Sequence, residues 1–216
     1  MRATSTRRHP LQEVKEGAAF VFHHQLLRPV FVTQFVFNTG FFLILAIFVP
    51  HAIHNLGLSA ADVGITLGMF GVGMVVGALL APWIMSLLTF GAVIAIGPFA
   101  GLAGAILMAL TIWLPTPLLA GLSFFLLGAG PILWIISTTT LRQTVTPQDL
   151  LGRVSAINIM AYGARPIGSA LGALIGGMYG VGVCLLAAVA LFLVQALVIA
   201  MSPAVRLKQQ PEMTGE

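Results

Sequence analysis

Charge is what this chain has least of. Across 216 residues, 7% are charged and 58% are hydrophobic, whereas soluble domains carry about 25% charged residues. So little charge cannot clothe a water-exposed globule, and a soluble fold is excluded. Cysteine is nearly absent as well. The lone Cys184 lies in an apolar run, which implies neither a disulfide framework nor a thiolate metal site. No HExxH, GxSxG or phosphate-binding glycine loop occurs, and no Ser/His/Asp grouping stands out. The expectation is a protein that is not an enzyme and needs no cofactor. The segment from Met1 to Arg28 is polar and basic, without a short apolar core and small-residue cleavage site, so no cleavable signal is expected.

Long hydrophobic runs are what fill the chain. A helix crossing the hydrocarbon layer needs about 20 mostly apolar residues. Six segments qualify, at about 29–49, 63–88, 91–112, 117–140, 154–178 and 182–202. They are apolar on all sides rather than alternating, so they read as helices and not as barrel strands. Ser59 and Asp62 look like a capping box opening the second span, and Leu114-Pro-Thr-Pro117 breaks the chain before the fourth. Thr146-Pro147-Gln-Asp149 resembles the N-terminus of a short interfacial helix leading into the fifth. The expected fold is thus all-α and integral to the membrane. It divides into a polar segment 1–28, a six-helix transmembrane bundle over 29–202 and a tail 203–216.

Lys and Arg orient the spans. Arg2, Arg7, Arg8, Lys15 and Arg28 precede the first; Arg142 and Arg153 bracket the fourth-to-fifth loop; Arg206 and Lys208 follow the sixth. The alternate loops, His51–Asp62, Trp113–Thr116 and the turn near Gly180, hold none. This asymmetry predicts both termini in the cytoplasm. The same residues are explained as topology determinants meeting anionic headgroups, so nucleic acid is not an expected partner. Trp113 and Trp83 fall at the two interfaces as anchors, while Trp134 lies deeper, either facing lipid or walling a cavity. The pair His51 and His54 sits in an outer loop with only Asp62 nearby, so no metal site is expected there.

Lipid supplies little hydrophobic drive between helices, so close contact relies on small residues. Gly64 with Gly68 and Gly73 with Gly77 stand at four-residue steps in the second span, Gly97 with Gly101 in the third, and Gly168, Gly172 and Gly176 in the fifth. Pro82, Pro98, Pro131 and Pro166 each remove a helical hydrogen bond and invite a kink.

The fifth span carries the polar residues. Asn158, Tyr162, Arg165 and Ser169 fall at steps of four, three and four, one face of a helix. From a start near Val154, Arg165 lies about 16 Å in, near the bilayer midplane. A charge there costs at least ~2.5 kcal/mol, which makes it a functional candidate facing a cavity or a partner; the alternative is an arginine bonded to carbonyls around Pro166. None of the acids, Glu13, Glu16, Asp62, Asp149, Glu212 and Glu216, lies within a span. Arg165 must therefore meet carbonyls or water, an anionic substrate group, or a carboxylate of another polypeptide, and no membrane-embedded proton carrier is supplied. Gln34 and Asn38 share a face of the first span, as substrate-path residues or as interhelical hydrogen bonds; Gln195 is open in the same way. Ser137 to Thr140 stand where hydroxyls can bond back to the helix. Arg142, Asp149 and Arg153 form a charge cluster, with Asp149 and Arg153 at i, i+4. It is either a solvated loop or a latch holding the cytoplasmic side closed.

The stretch Leu141-Arg-Gln-Thr-Val-Thr-Pro-Gln-Asp-Leu-Leu-Gly-Arg-Val-Ser-Ala156, followed by Tyr162-Gly-Ala-Arg-Pro-Ile-Gly-Ser-Ala-Leu-Gly172, resembles the tenth-to-eleventh helix region of major facilitator superfamily exporters. The likeness is to the branch of macrolide and enterobactin-type siderophore efflux proteins. Glu16-Gly17-x-x-Phe20-Val-x-x-His24-x-Leu-Leu-Arg28, then Asn38, resembles the central loop and seventh helix of that branch. The resemblance implies one half, the C-terminal six helices, of a fold built from two bundles that rock about a substrate between them. Met1 falls where the central loop would be. The family's charged Gly-x-x-x-Asp-x-x-Gly-Arg motif is replaced here by the uncharged run from Gly77 to Gly91, which puts a latch at that loop in doubt.

The resemblance implies a proton-coupled efflux carrier of the bacterial inner membrane, multi-pass in the lipid bilayer and moving a small-molecule substrate. Its proton site would lie in an N-terminal six-helix bundle, and the chain alone would not transport. A homodimer would lack any intramembrane carboxylate. The reading from a different class is a non-transporting scaffold or regulatory remnant that associates with a partner bundle.

Overall fold

The computed structural model describes residues 10–211. Arg2, Arg7, Arg8, Glu212 and Glu216, and with them the ends of the expected terminal segments, lie outside the described residues. What is described is helical, in the order α1 (Pro10–His23), α2 (Leu27–His54), α3 (Ala60–Leu87), α4 (Phe90–Leu110), α5 (Pro117–Val145), α6 (Leu151–Met160) and α7 (Ala164–Ala200). A 3₁₀ turn, Ala161–Gly163, joins α6 to α7. Helices α2 to α5 hold 28, 28, 21 and 29 residues, each enough for the ~30 Å hydrocarbon layer.

Local sequence sets most of the ends. Ser59 and Asp62 cap each other reciprocally at the start of α3, Thr89 accepts from the Ala92 N–H ahead of α4, and Pro117 takes the first position of α5. Two boundaries depart from the sequence reading. Helix α2 continues to His54, so His51 is a buried residue of the helix rather than of a loop. Its Nε2 lies 2.7 Å from Thr111 Oγ1, joining the ends of α2 and α4. Residues 148–150 form a turn and α6 begins at Leu151, so Asp149 precedes the helix and the expected i, i+4 pairing with Arg153 does not form.

The expected fifth and sixth spans are one helical stretch broken at Gly180, where φ is 84° and ψ 167°. Only glycine enters that region without a steric penalty. Cys184 Sγ lies 3.7 Å from the Gly172 carbonyl, twelve residues back, a separation that would be about 18 Å in a straight helix. The chain therefore reverses, giving α7 two arms, 164–179 and 181–200.

Glycine seams fix how the arms pass. Along α7, Gly168, Gly172 and Gly176 meet Thr39, Leu43 and Ile47 in rising order, so the first arm runs parallel to α2. Gly73 and Gly77 meet Phe125 to Ile132 of α5, again in parallel; Gly97 and Gly104 meet α5 in falling order, antiparallel. Gly101 meets Phe192 and Gln195 of the second arm, and the Gly40 position meets Phe192 from the α2 side. The membrane-length segments thus alternate in sense, as successive crossings must. Gly64 and Gly68 behave otherwise. Neither has any atom within 4 Å of where a Cβ would stand, so this pair is no packing seam and faces outward with its exposed neighbour Ile65.

Two apolar cores clasp the bundle at its ends. One joins Leu43, Ile47 and Phe48 of α2 to Met108, Phe124, Leu127, Leu185 and Phe192; Phe48 meets Phe124 edge to face at 4.6 Å. The other joins Val21, Leu27 and Val30 to Ile94, Leu141, Val154 and Ile199. Helix α1 packs on α6 and lays Gly17 on the Arg153 backbone.

Filling a seam glycine must force the two facing backbones apart. Gly168→Val is expected to destabilise the bundle by about 1–3 kcal/mol, the usual overpacking cost, read as a lowered unfolding midpoint in detergent. Gly64→Ala, in open space, should leave the midpoint unchanged or raised. Equal losses at both positions would contradict the assigned seams.

Candidate functional site

Between the two cores, α2 and α5 leave a cavity of about 430 Å³. The wall from α2 is Thr33, Gln34, Phe37, Asn38, Phe41 and Phe42; α5 supplies Trp134 and Thr138, among others, and ends at Arg142. Asn158, Tyr162 and Arg165 enter from α6 and α7, and Gln195 from the second arm. Side chains spaced from residue 33 to 195 are brought together because α2 touches both arms of α7.

Arg165 organises the polar part. Its Nε donates to Asn38 Oδ1 at 3.1 Å, while Asn38 Nδ2 donates to the Gln34 carbonyl at 2.8 Å. The guanidinium carbon stands 4.3 Å from the Tyr162 ring centroid and 5.3 Å from that of Phe42, within the range of cation–π attraction. The 3₁₀ turn explains the Tyr162 contact. Pro166 has no N–H to offer the Tyr162 carbonyl and its ring crowds that carbonyl. The chain tightens over 161–163, and in such a turn positions i and i+3 eclipse. Tyr162 and Arg165 are such a pair. The two Nη groups of Arg165 have no hydrogen-bond partner among the described residues.

The structure gathers five of the six candidate pathway residues, Gln34, Asn38, Asn158, Tyr162 and Arg165, on this cavity. Ser169 is not among its walls. It lies a turn further on and is partly exposed, next to Gly168, which closes on the Thr39 backbone. The trio expected to form a cytoplasmic latch is dispersed. Arg142 lines the cavity and donates from Nη2 to Thr139 Oγ1 at 3.4 Å. Arg153 pairs instead with Glu16 at 2.6 Å and Glu13 at 3.8 Å, both from α1, and Asp149 is exposed. The half-exposed Arg153–Glu16 pair belongs to a class worth about 0–1 kcal/mol. In the link between α1 and α2, burial lowers the pKa of His24.

Several wall residues were left open, or passed over, in the sequence. Trp134 is buried at 7% exposure and is a cavity wall, its Cβ facing Gly97. Gln195 is fully buried and donates to the Pro98 carbonyl at 3.3 Å, leaving its Oε1 without a partner among the described residues. Thr33 Oγ1 is orphaned likewise. An orphaned buried acceptor costs about 1–3 kcal/mol, and no local pattern marks it. The aromatics Phe37, Phe41 and Phe70 are linked by ring contacts of 5.2–5.9 Å; in a chain with 14 phenylalanines they had no distinguishing signal. The hydroxyls of Ser137, Thr138 and Thr140 bond back to carbonyls of their own helix. Among the described residues no group of three or more His, Cys, Asp or Glu side chains is placed to hold a metal ion.

A family described as transmembrane secretion effector, MFS_3, matches residues 4–214. No curated protein matches the chain significantly. No solved structure does either.

A cysteine placed in the cavity should report its access to water. Asn158→Cys is expected to react with a charged, membrane-impermeant thiol reagent at least about tenfold faster than Ser169→Cys, since thiolate chemistry needs aqueous access. The native Cys184 is buried and should give little background. Similar rates at 158 and 169 would contradict the boundary drawn here.

Proposed function

The chain belongs to the transmembrane secretion effector family, and so to the major facilitator superfamily of membrane transporters; from that premise we propose that it is the C-terminal bundle of an efflux carrier, with the cavity around Arg165 as its substrate path. The observation that carries the reading is a guanidinium, expected at mid-span depth, that lines a cavity and pairs with no described carboxylate. A charge in that position costs at least ~2.5 kcal/mol in hydrocarbon. Such a residue is stable where water, a substrate or another bundle meets it.

The second bundle belongs to the same proposal. Arg165 and Tyr162 are exposed although they lie in membrane-depth helix, and lipid is a poor neighbour for both. A facing six-helix bundle, N-terminal in the complete carrier, would enclose the cavity; a second copy of this chain would add no acid to it. None of the described Asp and Glu residues lines the cavity, so a coupling proton would be carried by that partner. Both termini then lie in the cytoplasm of a bacterial inner membrane, with nine of the ten Lys and Arg residues on that side. On this reading 1–28 is central loop, 29–202 the bundle and 203–216 a tail. Arg153, Glu13 and Glu16 tie α1 to the foot of α6 in place of the latch expected among Arg142, Asp149 and Arg153.

Transport tests the reading directly. Energised inverted vesicles would be assayed with radiolabelled benzoate, antipyrine and tetraphenylphosphonium. The chain alone should move none, and the chain co-expressed with an N-terminal bundle of a family member should move at least one. Arg165→Ala in the competent pair should cut flux by about tenfold or more, the worth of a charged hydrogen bond. Flux unaffected by that substitution would remove Arg165 from the path. A pair that assembles but moves nothing would favour a non-transporting scaffold.

A further inference from the structure

Among the described residues, two guanidiniums and no acid line the cavity. Arg165 lines it at mid-span and Arg142 at the end of α5, while Glu13 and Glu16 are engaged by Arg153 on the far side of α6, and Asp62 caps α3. The remaining wall is aromatic and amide: Phe37, Phe41, Phe42, Trp134 and Asn38 are representative. Resting on the transport reading of this cavity, we propose that its ligand is an anionic amphiphile, a flat apolar body bearing a carboxylate, sulfonate or phenolate.

The geometry supplies each element of that recognition. Asn38 and the rings of Tyr162 and Phe42 hold the Arg165 guanidinium by its Nε edge and its faces. The Nη groups, unpartnered among the described residues, are the ones that make forked hydrogen bonds to a planar oxyanion. A cation facing a membrane cavity is costly without a counter-charge, and an incoming anion lowers that cost. An incoming cation would meet two like charges and find no carboxylate. The aromatic wall offers offset and edge contacts to a ring. At about 430 Å³ the cavity falls within the usual range for small-molecule sites, roughly 300–1,000 Å³.

Trp134 supplies a reporter within the site. In the full chain carrying Trp83→Phe and Trp113→Phe, Trp134 is the one tryptophan left of three. The protein would be placed in phosphatidylcholine nanodiscs, whose zwitterionic surface does not concentrate either charge. Quenching would be titrated with 4-nitrobenzoate, 4-nitrobenzyl alcohol and 4-nitrobenzyltrimethylammonium. The anion should bind at least about tenfold more tightly than the cation. Arg165→Gln should weaken the anion by about tenfold, as expected for loss of a charged hydrogen bond. Arg142→Gln should weaken it less, and Arg165→Lys should recover some of the loss. Unchanged quenching by the neutral alcohol shows that the variants keep the cavity. If the alcohol quenches saturably but the anion binds no better than the cation, or is indifferent to Arg165→Gln, the anionic class is overturned while the cavity reading stands. If none of the three quenches saturably, both fall.

Discussion

A charge held inside a membrane protein constrains everything around it. Arg165 cannot be left to lipid, and no described carboxylate pairs with it. It is held instead by an amide oxygen from α2 and by two aromatic faces. Those contacts require α2 and the start of α7 to lie side by side, which the seam of Gly168, Gly172 and Gly176 against Thr39, Leu43 and Ile47 provides. The small residues and the arginine therefore belong to one arrangement. Glycine brings the backbones close on one stretch, and the chain opens around the cation just before it.

Proline and glycine shape the opening from within the helices. Pro166 ends regular α-helical bonding ahead of Arg165, and the resulting tight turn stacks Tyr162 over it. Gly180 reverses the chain so that Gln195 returns to the cavity wall. The two apolar cores at the ends of the bundle leave the middle for polar groups, with Gln195 partly satisfied and the Thr33 hydroxyl without a partner among the described residues. Such groups are expensive in hydrocarbon, and their presence in the cavity wall sets this region apart from the ordinary core.

The spans and several of their ends were legible in the residues because they depend on local properties. Length and apolarity decide what crosses a bilayer, and the capping box of Ser59 and Asp62 satisfies the first N–H groups with neighbours three residues apart. The face shared by Asn158, Tyr162 and Arg165 followed from helical spacing, and Ser169 was misplaced because spacing says nothing about where a facing backbone closes. Gly64 and Gly68 look like a seam in the sequence, yet a seam exists only where a second helix arrives. Arg153 took Glu16 and Glu13 from α1 rather than Asp149, four residues away, since α1 was not legible as a helix and Asp149 falls in a turn.

Composition and periodicity by themselves determined that this is a helical membrane protein with an arginine inside a long apolar stretch. That follows because the bilayer judges each segment on its own, by its transfer free energy. Only the tertiary structure decided that Arg165 meets Asn38, that Arg142 and Trp134 border the same cavity, and which glycines bear contact. Those outcomes depend on the relative position of helices far apart in the chain, set by the hairpin at Gly180 and by backbone-to-backbone approach, which no local pattern encodes.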